Sequence, residues 1–277
     1  MDNREDDALP PGSPGGELLR RLRKAAERTQ LWVEAEAELG TGYLQRIERG
    51  KILHPERETL ERILSALDAR FGERREVLER FGYVVTVEPP DTADRAWARL
   101  HCQHELGELT FPAYAIDCAF RVIAWNRLMA ALFDPAGDSV LRSFRDRSVL
   151  EGWFDPHSPI GRSVAEPDRF LPAMLRAARF EALQLGDPEW HRNLMADHAR
   201  RLPRFRESVQ QQSAGEEPIV SARALVPVRL MVGDGIACSF RLSAEPFLRD
   251  PRFRLVYFFP ADEAALHWCE QALSRTV

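Results

Sequence analysis

Gln45 and Arg46 stand side by side in the stretch TQLWVEAEAELGTGYLQRIERG, Thr29 to Gly50, and both are side chains suited to reading base edges. An arginine guanidinium forks onto guanine O6 and N7, and a glutamine amide pairs with adenine, so the chemistry implied is recognition in a major groove. Patterns for covalent or acid–base chemistry are missing. The sequence holds no GxSxG, P-loop, GxGxxG or paired-carboxylate arrangement, and Gly233-Asp234-Gly235 reads as a hairpin turn, so no enzyme is expected. His101, Cys102, His104, Glu105 and Glu108 resemble metal ligands, since HxxH puts two imidazoles on one helix face. A zinc site needs further ligands at defined spacing and HExxH is absent, so these residues are read as structural and no metal is assigned.

Short helices must hold Gln45 and Arg46 for that chemistry to operate. Leu18, Leu22 and Ala25 set up a first amphipathic helix, and Thr29 can cap a second that begins at Gln30. Gly40-Thr41 opens a third, with Tyr43, Leu44 and Ile47 as its apolar face, and Gly50 ends it as a left-handed cap. Leu60, Ile63, Leu64 and Leu67 give one more helix, completing an all-helical bundle from about Glu17 to Phe71.

In residue types and spacing this stretch resembles the Xre/Cro/C1-type helix-turn-helix family, whose second helix of the motif lies in the major groove. The resemblance places Gln30 at the N-terminus of the scaffold helix, against phosphate, and Thr41, Gly42, Gln45 and Arg46 on the groove-facing surface, with the basic Arg49 and Lys51 just beyond. Glu48 is expected to be structural, holding Arg49 or a backbone amide. Three positions depart from the family pattern: Glu34 replaces a small residue, Glu38 replaces the turn glycine, and Gly42 is expected to weaken the recognition helix by roughly 1 kcal/mol relative to alanine. Between Glu17 and Arg70 eleven basic side chains face ten acidic ones, a net charge of +1. Phosphate neutralisation supplies much of the affinity for DNA, so a homodimer presenting two such modules to double-stranded DNA is expected.

With 277 residues and 44% hydrophobic content the chain can support two cores, and its net charge of -5 argues against a nucleic-acid surface along its whole length. Four scattered cysteines without a CxxC suit a reducing cytoplasm, and no run of eighteen apolar residues suggests membrane insertion. The opening MDNREDDALPPGSPGG is acidic and then Pro/Gly-rich, the composition of a disordered tail. Pro89-Pro90 marks a boundary. The expected organisation is a tail over 1–16, a helix-turn-helix domain over 17–88, a connecting helix over 89–108 with Ala96, Trp97 and Leu100 on one side, and a second domain over 109–277.

That second domain opens with two short strands, Phe111 to Asp117 and Phe120 to Asn126, around a tight turn. A helical middle follows from about Asp146 to Gln212. Strands return at Ala222 to Val232, Ile236 to Ser243 and Phe253 to Phe259, before a closing helix from Ala261 to Leu273. Strands, helices, strands is the order of an α+β domain whose helices cover one face of an antiparallel sheet. The segments YAIDCAFRVIAWNRLMAALF, WFDP and FLRDPRFRLVYFFPAD resemble the MmyB-like ligand-binding domain, a PAS-like fold that sits C-terminal to an Xre-type helix-turn-helix. The resemblance implies a transcriptional regulator with a cavity for an apolar, fatty-acid-like small molecule. Candidate lining residues are Tyr114, Trp125, Phe133, Trp153, Phe154, Met174, Phe240 and Phe258, with Arg176, Arg179 or His157 at the mouth to meet a carboxylate. No cofactor is assigned: the cysteines lack flavin-photosensor surroundings, while the seven histidines leave an axial haem ligand open. The competing reading is a non-enzymatic protein-interaction scaffold with a degenerate helix-turn-helix and no ligand.

Overall fold

In the computed structural model, residues 13–134, 138–186, 188–213, 226–233 and 235–274 are described. They fall into two compact units: one reaches Thr86 and includes Leu248–Pro251, and the other comprises Val87–Phe247 and the chain from Arg252 onward.

The first unit holds five helices: α1 Pro14–Ala25, α2 Gln30–Glu36, α3 Tyr43–Glu48, α4 Arg57–Ala66 and α5 Phe71–Arg80. Helix α1 starts inside the segment expected to be disordered. The Ser13 hydroxyl accepts from Gly16 N, Pro14 fits the first turn, and Gly15 and Gly16 are buried. The helix can come this close to α3 because a Cβ on Gly16 would lie 2.3 Å from the Ile47 carbonyl oxygen. The earlier start also changes the buried face of α1. Leu19 is fully buried while Ala25 is exposed, contrary to the expected stripe. Leu19, Val33, Leu44, Ile47, Leu60, Ile63, Leu64 and Val77 form the centre of the bundle, so α5, beyond the expected limit at Phe71, belongs to it.

The second unit begins with α6, Thr92–Glu108, capped by the Asp91 carboxylate on Asp94 N. Then come β1 Ala113–Asp117, β2 Val122–Trp125, α7 Arg127–Phe133, α8 Ser139–Ser143, α9 Val149–Phe154, α10 Pro159–Ser163, α11 Pro167–Gln184, α12 Glu189–Arg201 and α13 Pro203–Ser213. The chain closes with β3 Val226–Val232, β4 Ile236–Pro246, β5 Phe253–Pro260 and α14 Glu263–Ser274. The expected strand from Ala222 lies outside the described residues until Val226. The five strands pair antiparallel in the order β2-β1-β5-β4-β3. Period-two alternation sorts β5: Phe253 and Leu255 pack with α6, while Val256 and Phe258 join the main core with residues of α9, α11 and α13.

Two expectations change here. Helices cover both faces of the sheet, because α6 lies on the second face through Ala98, Cys102 and Leu106, all buried against Ala113, Ala115 and Ile123. Leu100, expected to share one side of α6 with Ala96 and Trp97, is 68% exposed. Small side chains let helix and sheet approach, and a size-weighted reading of periodicity misses them. Asn126 of the IAWN tetrad ties strand to helix: its side-chain oxygen accepts from Ala113 N and Met129 N, and its amide donates to the Phe111 carbonyl. All four cysteines are buried and free, and burial pushes the Cys102 thiol up to about 11, which makes it inert.

Candidate functional site

Helices α2 and α3 and the turn between them form the candidate DNA-reading surface. Thr29 caps α2 by accepting from Trp32 N at 3.1 Å. Glu38 takes the left-handed turn conformation at φ 53°, and Gly42 sits just before α3 at φ 80°. Gly42 is therefore outside the recognition helix, where a glycine is favoured, and the expected helix-weakening cost does not apply. Gly50, at φ 69°, follows the α3 cap as the sequence implied.

Two acids are structural. Glu34, 3% exposed, accepts from Gly42 N at 3.0 Å and Leu44 N at 2.9 Å, so it caps the recognition helix from inside. Glu48, 5% exposed, accepts from Arg23 Nε at 2.7 Å and from Gln30 Nε2 at 2.6 Å. Its partners are thus the Arg23 and Gln30 side chains instead of Arg49 or a backbone amide, and the Gln30 side chain expected on phosphate is bonded to Glu48. Withdrawing Glu34 and the Glu48–Arg23 pair leaves ten bases against eight acids on the surface between Glu17 and Arg70. Thr41, Arg46, Arg49 and Lys51 are exposed and Gln45 is half-buried on the same short segment. The Arg46 guanidinium lies 5.4 Å from the Tyr43 ring. Sequence reasoning passed over Arg28 and Trp32, which stack at 4.1 Å beside the start of α2, an exposed cation held by an aromatic face.

The candidate ligand residues separate into three places. Tyr114, Trp153, Phe154, Phe240 and Phe258 are buried in one aromatic core: Trp153 lies 5.2 Å from Phe170 and 6.3 Å from Phe258, and Phe154 lies 4.8 Å from Phe205. Phe133 and Met174 flank that core half-buried. Trp125 instead faces a groove of about 480 Å³ with Arg99, Arg127 and Arg145, the Arg145 guanidinium 4.8 Å from its ring. Arg176 and His157 are exposed. Of the eleven candidates, Arg179 lines a cavity of about 460 Å³ between α11, α12 and α13, where Leu175, Ala182, His191, Met195 and Phe205 supply the wall and Arg179 and Arg192 are solvent-exposed. The large aromatics fill space against one another, and alanines leave the gap.

Next to that cavity a set of polar groups lies deep in the domain. Arg254 of β5 forms an ion pair with Glu181 of α11, and its Nε has no acceptor. Burial, opposed by the Arg254 charge, holds the Glu181 carboxyl above its usual range. Burial also raises the Tyr114 phenol, with the Trp153 indole opposing it, although the Trp153 N–H closes no hydrogen bond of ordinary geometry. His198, bonded to the Ser148 hydroxyl at 3.2 Å, is held below its usual range by burial and then by Arg201. His101 and His104 of α6 are engaged with the Trp97 carbonyl and Glu108, and no group of three His, Cys, Asp or Glu poised for a metal occurs among the described residues.

The family model described as the MmyB-like transcription regulator ligand binding domain matches residues 99–271, and a helix-turn-helix domain model matches residues 16–78. Among solved structures, "Structure of an RNA-binding Light-Oxygen-Voltage Receptor" is similar at 13% identity with a TM-score of 0.26, covering 95% of this chain and 63% of that chain. The chain spans less than two thirds of that protein's length. No curated protein matches the chain. No described helix is long and apolar enough to cross a membrane.

Proposed function

The chain belongs to the family of the MmyB-like transcription regulator ligand binding domain, and from that premise we propose that it is a transcriptional regulator responding to an elongated, fatty-acid-like small molecule. Helix α3 and the turn before it read the major groove of double-stranded DNA through Thr41, Gln45 and Arg46, with Arg49 and Lys51 against the backbone. The α11–α13 cavity takes the apolar body of the ligand. A near-neutral reading head calls for two half-sites, so the working form is a homodimer, and the protein is a cytoplasmic non-enzyme. The observation that carries the reading is the pairing, in one chain, of a helix presenting half-buried Gln45 and exposed Arg46 with an apolar-walled cavity in a ligand-binding domain.

The test is native mass spectrometry of the purified full chain together with melting curves in dodecanoate. A retained lipid mass, or a melting temperature that rises with dodecanoate, supports the reading. A bare chain whose melting temperature no apolar acid or alcohol moves contradicts it. Light scattering at tens of micromolar distinguishes dimer from monomer.

A further inference from the structure

We propose that Arg254 receives the anionic head group of the ligand, and that the Glu181 carboxylate holds that place while the site is empty. The inference rests on the reading of the C-terminal domain as the binder of an elongated, fatty-acid-like molecule, and it adds which side chain meets the acid group and which one yields to it.

Donors outnumber acceptors around Arg254. Its guanidinium carries five N–H groups on a side chain 7% exposed, its carboxylate partner is Glu181, and its Nε has no acceptor. Donors buried without acceptors are costly, and an anionic oxygen pair is the group that satisfies a guanidinium best.

The two partners differ in their access to water. Glu181 keeps 23% of its side chain exposed against 7% for Arg254. A displaced Glu181 can turn to solvent, whereas Arg254 must be met where it stands. Burial already disfavours the ionised carboxylate in this position, so giving up the place is easier for Glu181 than for an acid held by fixed amides.

Phe120 stands against both Arg254 and a residue of the cavity wall, and its backbone is strained. Phe120 adopts φ 60°, a left-handed conformation uncommon for a bulky residue, at the β1–β2 turn. The centre of its ring is 5.7 Å from the Arg254 guanidinium and 6.0 Å from the ring of His191, which lines the α11–α13 cavity. A residue held in such a conformation where two parts of a site meet is suited to give way to a ligand. The head group then goes inward to Arg254 instead of stopping at the exposed Arg179, since an ion pair out of water is stronger than one screened by it.

Calorimetry of the full chain with dodecanoate and with dodecanol tests this. Wild type should prefer dodecanoate, and Glu181→Gln, which removes the competing charge, should tighten dodecanoate by about tenfold with dodecanol unchanged. The double variant Arg254→Leu/Glu181→Leu, which leaves no lone buried charge, should bind both compounds equally, and Arg179→Ala should keep the preference. Unchanged or weaker dodecanoate binding by Glu181→Gln overturns the proposal, as does a preference that survives the double variant or disappears with Arg179→Ala. Should the double variant not fold, the Glu181→Gln result decides alone. If dodecanol binds while Glu181→Gln changes nothing, this proposal fails and the cavity reading stands; if neither compound binds wild type, both fail.

Discussion

Glu34 and Glu181 are carboxylates drawn away from water in different units of the chain, and they are held by different means. Glu34 accepts from two backbone amides, Gly42 N and Leu44 N, whose positions are fixed by the turn they belong to. Glu181 faces a single flexible arginine that has donors to spare, and burial works against its charge. The first carboxylate is part of the scaffold: removing it strands two amides and unseats the recognition helix. The second is exchangeable, because another anion can satisfy Arg254. Burial of a charge therefore says little about function until its partners are identified.

The largest effect is expected at Glu34. Glu34→Ala should lower stability by about 2 to 4 kcal/mol in denaturant unfolding, the cost of leaving the buried Leu44 amide and the partly buried Gly42 amide without their acceptor. Dodecanoate should stabilise Glu34→Ala no more than it stabilises wild type, whereas it should stabilise Glu181→Gln by more. Equal gains in wild type and both variants break the contrast. Next comes Arg46→Ala, which should cost about 1 to 3 kcal/mol on a selected duplex and relax discrimination at one base position. Equal loss on every sequence would make Arg46 a phosphate contact.

Glu38→Gly should raise stability by about 1 kcal/mol, because Glu38 occupies a left-handed turn conformation at φ 53° that glycine adopts freely. A loss instead would mean that the Glu38 side chain contributes something the turn does not require. The smallest effect concerns pH. His198 is held below its ordinary value of 6.5, so its contribution to stability is present above that pH and is lost as pH falls toward the lowered folded value. Glu181, held above its ordinary range, acts in the opposite sense, its protonation favouring the folded state as pH falls. The measurement is consequently the difference between wild type and His198→Gln in urea unfolding from pH 7 to pH 5. A constant difference across that range contradicts the assignment.

Much of the fold was legible because side-chain type and backbone demand agree. Gly50 sits at the left-handed position its place after RIERG implied, Thr29 caps α2, and Asn126 turns strand into helix. Glu34 was unreadable as a capping group, since the amides it holds come together only after the turn has formed. The same holds for Glu48, whose partner Arg23 is 25 residues away. In the second unit the conspicuous aromatics suggested a cavity wall, yet Trp153 and Phe258 pack on each other and the gap lies beside Ala182 and Leu175. Space left by small side chains has no periodic signature. Trp125, expected to point inward, instead stacks with Arg145 in an arginine-lined groove.

The measurement that tests the account most directly is the affinity of the full chain for an in vitro selected duplex, by fluorescence anisotropy, with and without saturating dodecanoate. A regulator whose ligand has different affinities for two arrangements of the chain must show the difference at the DNA, so the midpoint should move by about fivefold or more. Superimposable binding curves, with calorimetry showing dodecanoate bound to the same sample, would contradict it.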